Sequence, residues 1–142
     1  MATNDSRRPL EEPEERTMAL DSMRQVLEQR FWVNIFSLGI TACREGRRMY
    51  FDAFAYSSSV ACVVDIRERL TEDSSERLLQ SLRDFRQLFP EHRDKTVFGI
   101  LAFADAPEDI RNRVLDAGIY LARIQDGQFE IQVPPDFRPR AF

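Results

Sequence analysis

Two consecutive apolar segments constrain the fold more than any other part of the chain. They are Arg48-Met-Tyr-Phe-Asp-Ala-Phe-Ala-Tyr-Ser57 and Val60-Ala-Cys-Val-Val-Asp-Ile-Arg67. Both are rich in aromatic, β-branched and small apolar residues, and Ser57-Ser58-Ser59 lies between them. That pattern reads as two antiparallel strands joined by a tight turn. With Ser58 and Ser59 as a two-residue loop, Ser57 faces Val60, Asp52 faces Asp65 and Tyr50 faces Arg67. Alternation then puts Asp65 and Arg67 on one face with Ala61 and Val63, and Tyr50, Phe54 and Tyr56 on the face of Asp52. The turn lacks an Asn-Gly or Asp-Gly signal, so a slip of one residue is open. A charge in the middle of an apolar strand needs a partner, because burying a lone charge is costly. Asp52, Asp65 and Arg67 are therefore the central candidates.

Elements on either side complete an α/β order. Residues 1 to about 14 are polar, with Pro9 and Pro13, and read as a disordered tail. From Glu15 to the end the chain reads as a single domain. A helix is expected from Glu15 to about Arg30, with Leu20, Met23, Leu27 and Phe31 as its apolar stripe and Glu28 just beside it. The segment from Trp32 to Cys43 reads as a first strand, and Arg44-Glu-Gly-Arg47 as a turn. A long helix opens near Thr71, with Leu78, Leu82, Phe85 and Phe89 facing inward, and ends at Pro90. The continuous apolar run Thr96 to Ala104 reads as a strand covered on both faces. A helix capped at Asp105 or Ala106 and closed by Gly118 follows. Two strands, Ile119–Ile124 and Phe129–Val133, and a proline-marked tail end the chain. No period of 20 to 50 residues recurs, which excludes a repeat fold.

Composition narrows the classes. A chain of 142 residues with 43% hydrophobic and 31% charged residues suits one compact core. No apolar run approaches the roughly 20 residues a membrane span needs, and the N-terminus has no apolar leader. Cys43 and Cys62 both fall in expected strands and read as reduced, small buried side chains in a cytoplasmic protein. His92, the single histidine, sits in a charged loop and reads as a surface residue, so a Cys-His metal site has no support. A net charge of −4 argues against broad electrostatic binding of nucleic acid, although a local basic patch is what matters. Arg83 and Arg86 share one helix face, but interspersed Asp84 and Glu91 make that face mixed. Lys95 is the single lysine among 20 basic residues, a bias expected of a GC-rich genome.

The order of elements, the Asp in the second strand and the acidic-x-basic triplet Asp65-Ile-Arg67 together resemble the PD-(D/E)XK nuclease superfamily over roughly residues 20 to 133. More narrowly, the chain looks like uncharacterised bacterial proteins that carry this fold after a helical or coiled-coil N-terminal region. Arg30-Phe-Trp-Val-Asn-Ile35, Tyr50-Phe-Asp52, Val63 to Leu70, Phe85-Arg-Gln-Leu-Phe-Pro90 and Pro134 to Pro139 carry that likeness. The resemblance implies a restriction-endonuclease-like αβββαβ core with a mixed central sheet flanked by helices. It implies Mg²⁺, or Mn²⁺, held by Asp52 and Asp65, with Glu28 as a loose third ligand from the first helix. DNA is the implied ligand, and self-association through the N-terminal helix is implied by the coiled-coil look-alikes. Arg67 stands where the superfamily has a catalytic lysine. Arginine is always charged and presents a planar fork, so it binds phosphate but cannot serve as a base. Two readings follow. In one, the site is degenerate and the domain binds or assembles. In the other, Asp52 and Asp65 hold metal in an active endonuclease while Arg67 orients phosphate. An Arg⁺ between two Asp⁻ that merely fixes strand register is the structural alternative to any metal site.

Overall fold

A computed structural model describes residues 13–142. The tail expected over residues 1 to about 14 lies outside the described residues, except for its last two, which already belong to a helix. That helix, α1 (Pro13–Phe31), starts two residues earlier than expected. Proline is tolerated in a first turn, and Glu14 and Glu15 there with Arg30 in the last turn suit the helix dipole. Ala19, Met23, Leu27 and Phe31, four residues apart, form its buried stripe.

Then come β1 (Ile35–Arg44), β2 (Arg47–Tyr56), β3 (Val60–Arg69), α2 (Glu72–Leu88), β4 (Thr96–Asp105), α3 (Glu108–Asp116), β5 (Tyr120–Gln125) and β6 (Gln128–Ile131). The six strands form one sheet in sequence order. β1, β2 and β3 are antiparallel neighbours, β3, β4 and β5 are parallel, and β6 returns antiparallel. The chain is thus an α/β protein with a mixed sheet. The parallel centre requires crossovers, which α2 and α3 supply.

Each connection has a local cause. Ser57 N donates to Val60 O (2.9 Å), and the Ser57 hydroxyl accepts from Ser59 N and Val60 N, so Ser58 and Ser59 are a two-residue loop. Thr71 caps α2 by accepting from Ser74 N, while the Ser74 hydroxyl accepts from Thr71 N. Pro90 stops α2 and opens a short 3-10 turn, Pro90–His92. α3 departs from the expected cap, because Pro107 is its N-cap and makes no side-chain bond. The tail is pinned by Arg140 N to Gly118 O, Phe142 N to Val97 O and the Arg86 guanidinium to Phe142 O.

The sheet has two apolar faces. On one, Phe51, Phe54, Val63 and Leu101 of the sheet pack against Leu82 and Phe85 of α2 and Val114 of α3. Under α1 lie Ala53, Val64, Ile66, Ile100 and Ile124 with the stripe of α1 itself. The expected self-association through the N-terminal helix meets a physical obstacle here, since that stripe is already buried against its own sheet. Among the described residues no helix is long and apolar enough to cross a membrane.

Candidate functional site: a forked sheet with an arginine-lined cleft

β2 and β3 pair only from Ala53↔Val64 to Tyr56↔Ala61. The register is the expected one, but the ladder stops short of Asp52, Asp65, Tyr50 and Arg67. Beyond it β2 stays with β1 while β3 stays with β4, down to Arg69↔Asp105. The sheet therefore forks, and Asp52 sits in the crotch. Its Oδ2 accepts a hydrogen bond from Ile66 N at 2.8 Å, so a side-chain oxygen takes the place of a ladder carbonyl.

The fork has a visible origin. Phe51 and Phe54 lie in the same apolar face although three residues apart, and Met49 joins them. A regular strand alternates with period two, so β2 changes phase at Asp52. β1 changes phase opposite it. Phe36 packs on the α1 face and Ile40 on the α2 face, and the Gly39–Asp52 pair is skipped in an otherwise constant register. Gly39 has φ +62, a conformation that glycine adopts without steric cost. This corrects one expectation: Tyr50 does not share a face with Phe54 and Tyr56, and it is 46% exposed.

Into the fork opens a cleft of about 460 Å³. Met49, Phe51, Asp65 and Arg67 belong to its strand walls, and Leu78, Ser81, Asp84 and Leu88 to the α2 wall. Arg67 Nη2 stands 2.9 Å from Asp65 Oδ2, with the Asp65 side chain 8% exposed and that of Arg67 30%. Three further arginines line the cleft, Arg47, Arg48 and Arg77. Arg47 donates to Gln87 Oε1 (2.8 Å) and lies 3.5 Å from Asp84, and Arg77 pairs with Asp73 at 2.8 Å. Sequence reasoning missed these three as site residues. Arg47 and Arg48 open β2 and Arg77 lies on α2, with no spacing that links them to Asp65. Glu28 is not brought to the others. It is exposed on α1, which covers the opposite face, and it precedes Phe31, which packs on Phe98 and Tyr120 at the starts of β4 and β5.

No family model, curated protein or solved structure matches this chain. The chemistry of the cleft is what its own side chains dictate.

As arranged, that donor set does not fit a bound Mg²⁺. A hard cation needs open carboxylate oxygens. Here one oxygen of Asp65 faces a guanidinium and one of Asp52 faces a backbone N–H. Among the described residues no three His, Cys, Asp or Glu side chains converge on a common point. Arg67 already supplies Asp65 with the positive charge a metal would bring.

A second polar cluster lies at the other end of β2, and two expectations fail on the way to it. His92 is 9% exposed, not a surface residue, because its ring packs edge-on against Phe54 and beside Tyr56 and Phe85. Cys43 is exposed, since the end of β1 is uncovered, whereas Cys62 is buried and burial pushes its thiol well up. Lys95 Nζ lies 2.7 Å from His92 Nδ1 and 4.2 Å above the Tyr56 ring. Burial first, and then the Lys95 charge, hold the His92 pKa below its ordinary value, with Glu91 opposing. The unfolded chain takes up a proton near pH 6.5 that the folded chain refuses, so stability falls as pH drops below about 6.5. The slope from this one group is at most about 1.4 kcal/mol per pH unit. Urea denaturation of the wild type and His92→Phe between pH 5 and 8 checks this. The substitution should flatten the acid limb, and identical limbs would refute the assignment.

Proposed function

We propose that the chain is a catalytically impaired nuclease-superfamily domain that binds the phosphate backbone of DNA without a metal. The observation that carries the reading is the Arg67–Asp65 pair at 2.9 Å inside the cleft of the fork. Where the superfamily's acid and lysine would leave carboxylate oxygens for Mg²⁺ or Mn²⁺, this chain neutralises the acid internally. The finer fold assignment belongs to the same proposal. The order α1, β1, β2, β3, α2, β4 is that of the restriction-endonuclease-like αβββαβ core, and Asp52 and Asp65 fall at its fork.

Ligand chemistry follows from the lining. Arg47, Arg48, Arg67 and Arg77 outnumber the carboxylates they meet, Asp65 and Asp84 in the lining and Asp73 beside Arg77, so the cleft keeps a positive balance on a chain of net charge −4. Guanidinium forks match phosphate oxygens two by two. Arg48 is exposed and sits on the strand wall, placed to meet a phosphodiester first.

The test pairs binding with cleavage. Fluorescence anisotropy on a short duplex at low salt should show binding that needs no divalent ion. Arg48→Ala should weaken it on every sequence and reduce the slope of log K against log salt by about 1. Supercoiled plasmid incubated in Mg²⁺ or Mn²⁺ should stay intact with wild type and with Asp65→Ala, while Arg67→Lys tests whether one substitution silenced the site. Wild-type nicking that disappears in Asp65→Ala would overturn the impaired reading in favour of an active endonuclease. A salt slope unchanged by Arg48→Ala would remove the cleft as the DNA site.

A further inference from the structure

The two edges of the sheet differ in kind. β6 is four residues long and presents Gln128 and Glu130 to solvent, which blunts it against pairing. β1 is ten residues long and carries no charge or proline before Arg44. In the described residues its outer side has no neighbour. Of the five large apolar side chains most exposed among the described residues, Ile35 and Leu38 belong to this edge. A long, uncharged edge with open backbone donors and acceptors is a template for another strand.

From these observations we propose that β1 pairs with β1 of a second copy of the chain. The arrangement is antiparallel and two-fold symmetric, and it continues the sheet across the dimer. The phase change at Gly39 fixes the register. Antiparallel partners must project to the same face of a sheet. In one half of β1, Phe36 and Leu38 face the α1 side while Ile35 and Ser37 face the α2 side, as their partners Ala55, Ala53, Tyr56 and Phe54 show. In the other half the assignment is reversed, with Ile40 and Ala42 on the α2 side. A two-fold axis between Leu38 and Gly39 then sets Phe36 of one copy beside Thr41 of the other on one face. On the opposite face it sets Ile35 beside Ala42 and Ser37 beside Ile40. At the axis Leu38 meets Gly39, where the missing side chain leaves room. An unbroken strand would not match itself about that point. The occupant follows from this symmetry, because each half of the edge is the face complement of the other half and isologous pairing closes on itself.

The register makes a covalent prediction. Asn34, exposed just before β1, falls opposite the exposed free Cys43 of the second copy. Within one chain these two positions are about 30 Å apart along an extended strand, so they cannot bridge internally. The experiment is sedimentation of the full chain at 5–300 μM (about the range that separates weak from stable dimers), together with mild oxidation of Asn34→Cys. Wild type should sediment as a dimer. Leu38→Lys places two ammonium groups beside the axis and should raise the dimer Kd by about tenfold or more, with an unchanged circular dichroism spectrum. Asn34→Cys should give a disulfide-linked dimer, and the same variant with Cys43→Ser should not. A wild type that stays monomeric throughout would overturn the proposal. So would a dimer indifferent to Leu38→Lys that forms no bridge between positions 34 and 43. Should Leu38→Lys fail to fold, the bridge alone decides.

Discussion

Truncating Phe85 to alanine is expected to lower the unfolding free energy by about 3–5 kcal/mol, the range for a large aromatic removed from a packed core. Phe85 is fully buried, and its ring is the hub of an aromatic cluster. Its centroid lies 4.9 Å from that of Phe89, 5.6 Å from Phe54, 6.2 Å from Phe51 and 6.3 Å from His92. These partners come from β2, from the end of α2 and from the 3-10 turn, so the void left by alanine is walled by three elements that cannot all collapse into it. Loss of ring contacts adds to lost burial. Urea denaturation with an unchanged m-value reads the effect. A loss below about 1.5 kcal/mol would mean that the cluster repacks around the vacancy, contrary to the rigid packing expected of a core.

Asp52→Ala is the second large effect, at about 1–3 kcal/mol, the cost of leaving a buried donor without its acceptor. The donor is Ile66 N–H, itself buried between β2 and β3, and no ladder carbonyl reaches it because the strands part at that residue. Asp52→Asn keeps an oxygen that can accept the same bond and should recover most of the loss. Equal destabilisation by alanine and asparagine would show that the charge at position 52 matters and the hydrogen bond does not. Neither substitution removes the Asp65–Arg67 pair, so Arg67→Ala is a separate perturbation. Its guanidinium is partly exposed, and the effect is accordingly smaller.

Much of the architecture was legible because it depends on local rules. Alternating apolar residues around Ser57–Ser59 gave the β2–β3 hairpin and its register. Thr71 and Pro90 bracketed α2, and the run ending at Ala104 read as a central strand. Of the site, Asp52, Asp65 and Arg67 were legible as members, but their geometry was not. Along β2 the series Tyr50, Asp52, Phe54, Tyr56 looks like an unbroken alternation, and nothing at Asp52 itself announces a change of phase. The one local sign was Gly39, since an isolated glycine inside a strand often marks a bulge. Its consequence falls on the neighbouring strand, which only the pairing reveals. His92 and Cys43 misled for the complementary reason. Burial of the first comes from an aromatic cluster assembled across the sequence, and exposure of the second from a sheet end that no helix reaches. Arg48 and Arg77 joined the cleft only because β2 and α2 converge there.

The bond from Asp52 to Ile66 also makes the chain its own sensor. An amide held in a ladder exchanges its proton with solvent at the pace of the whole sheet. The Ile66 amide is held by one side chain at the apex of the fork, so it exchanges at the pace of that apex alone. A ligand that wedges between β2 and β3 would hasten exchange there, and one that draws the arms together would slow it. Val63 and Val64, one step up the sheet, would stay unchanged in both cases. A single resonance could therefore tell a molecule that merely coats the rim of arginines from one that enters between the strands.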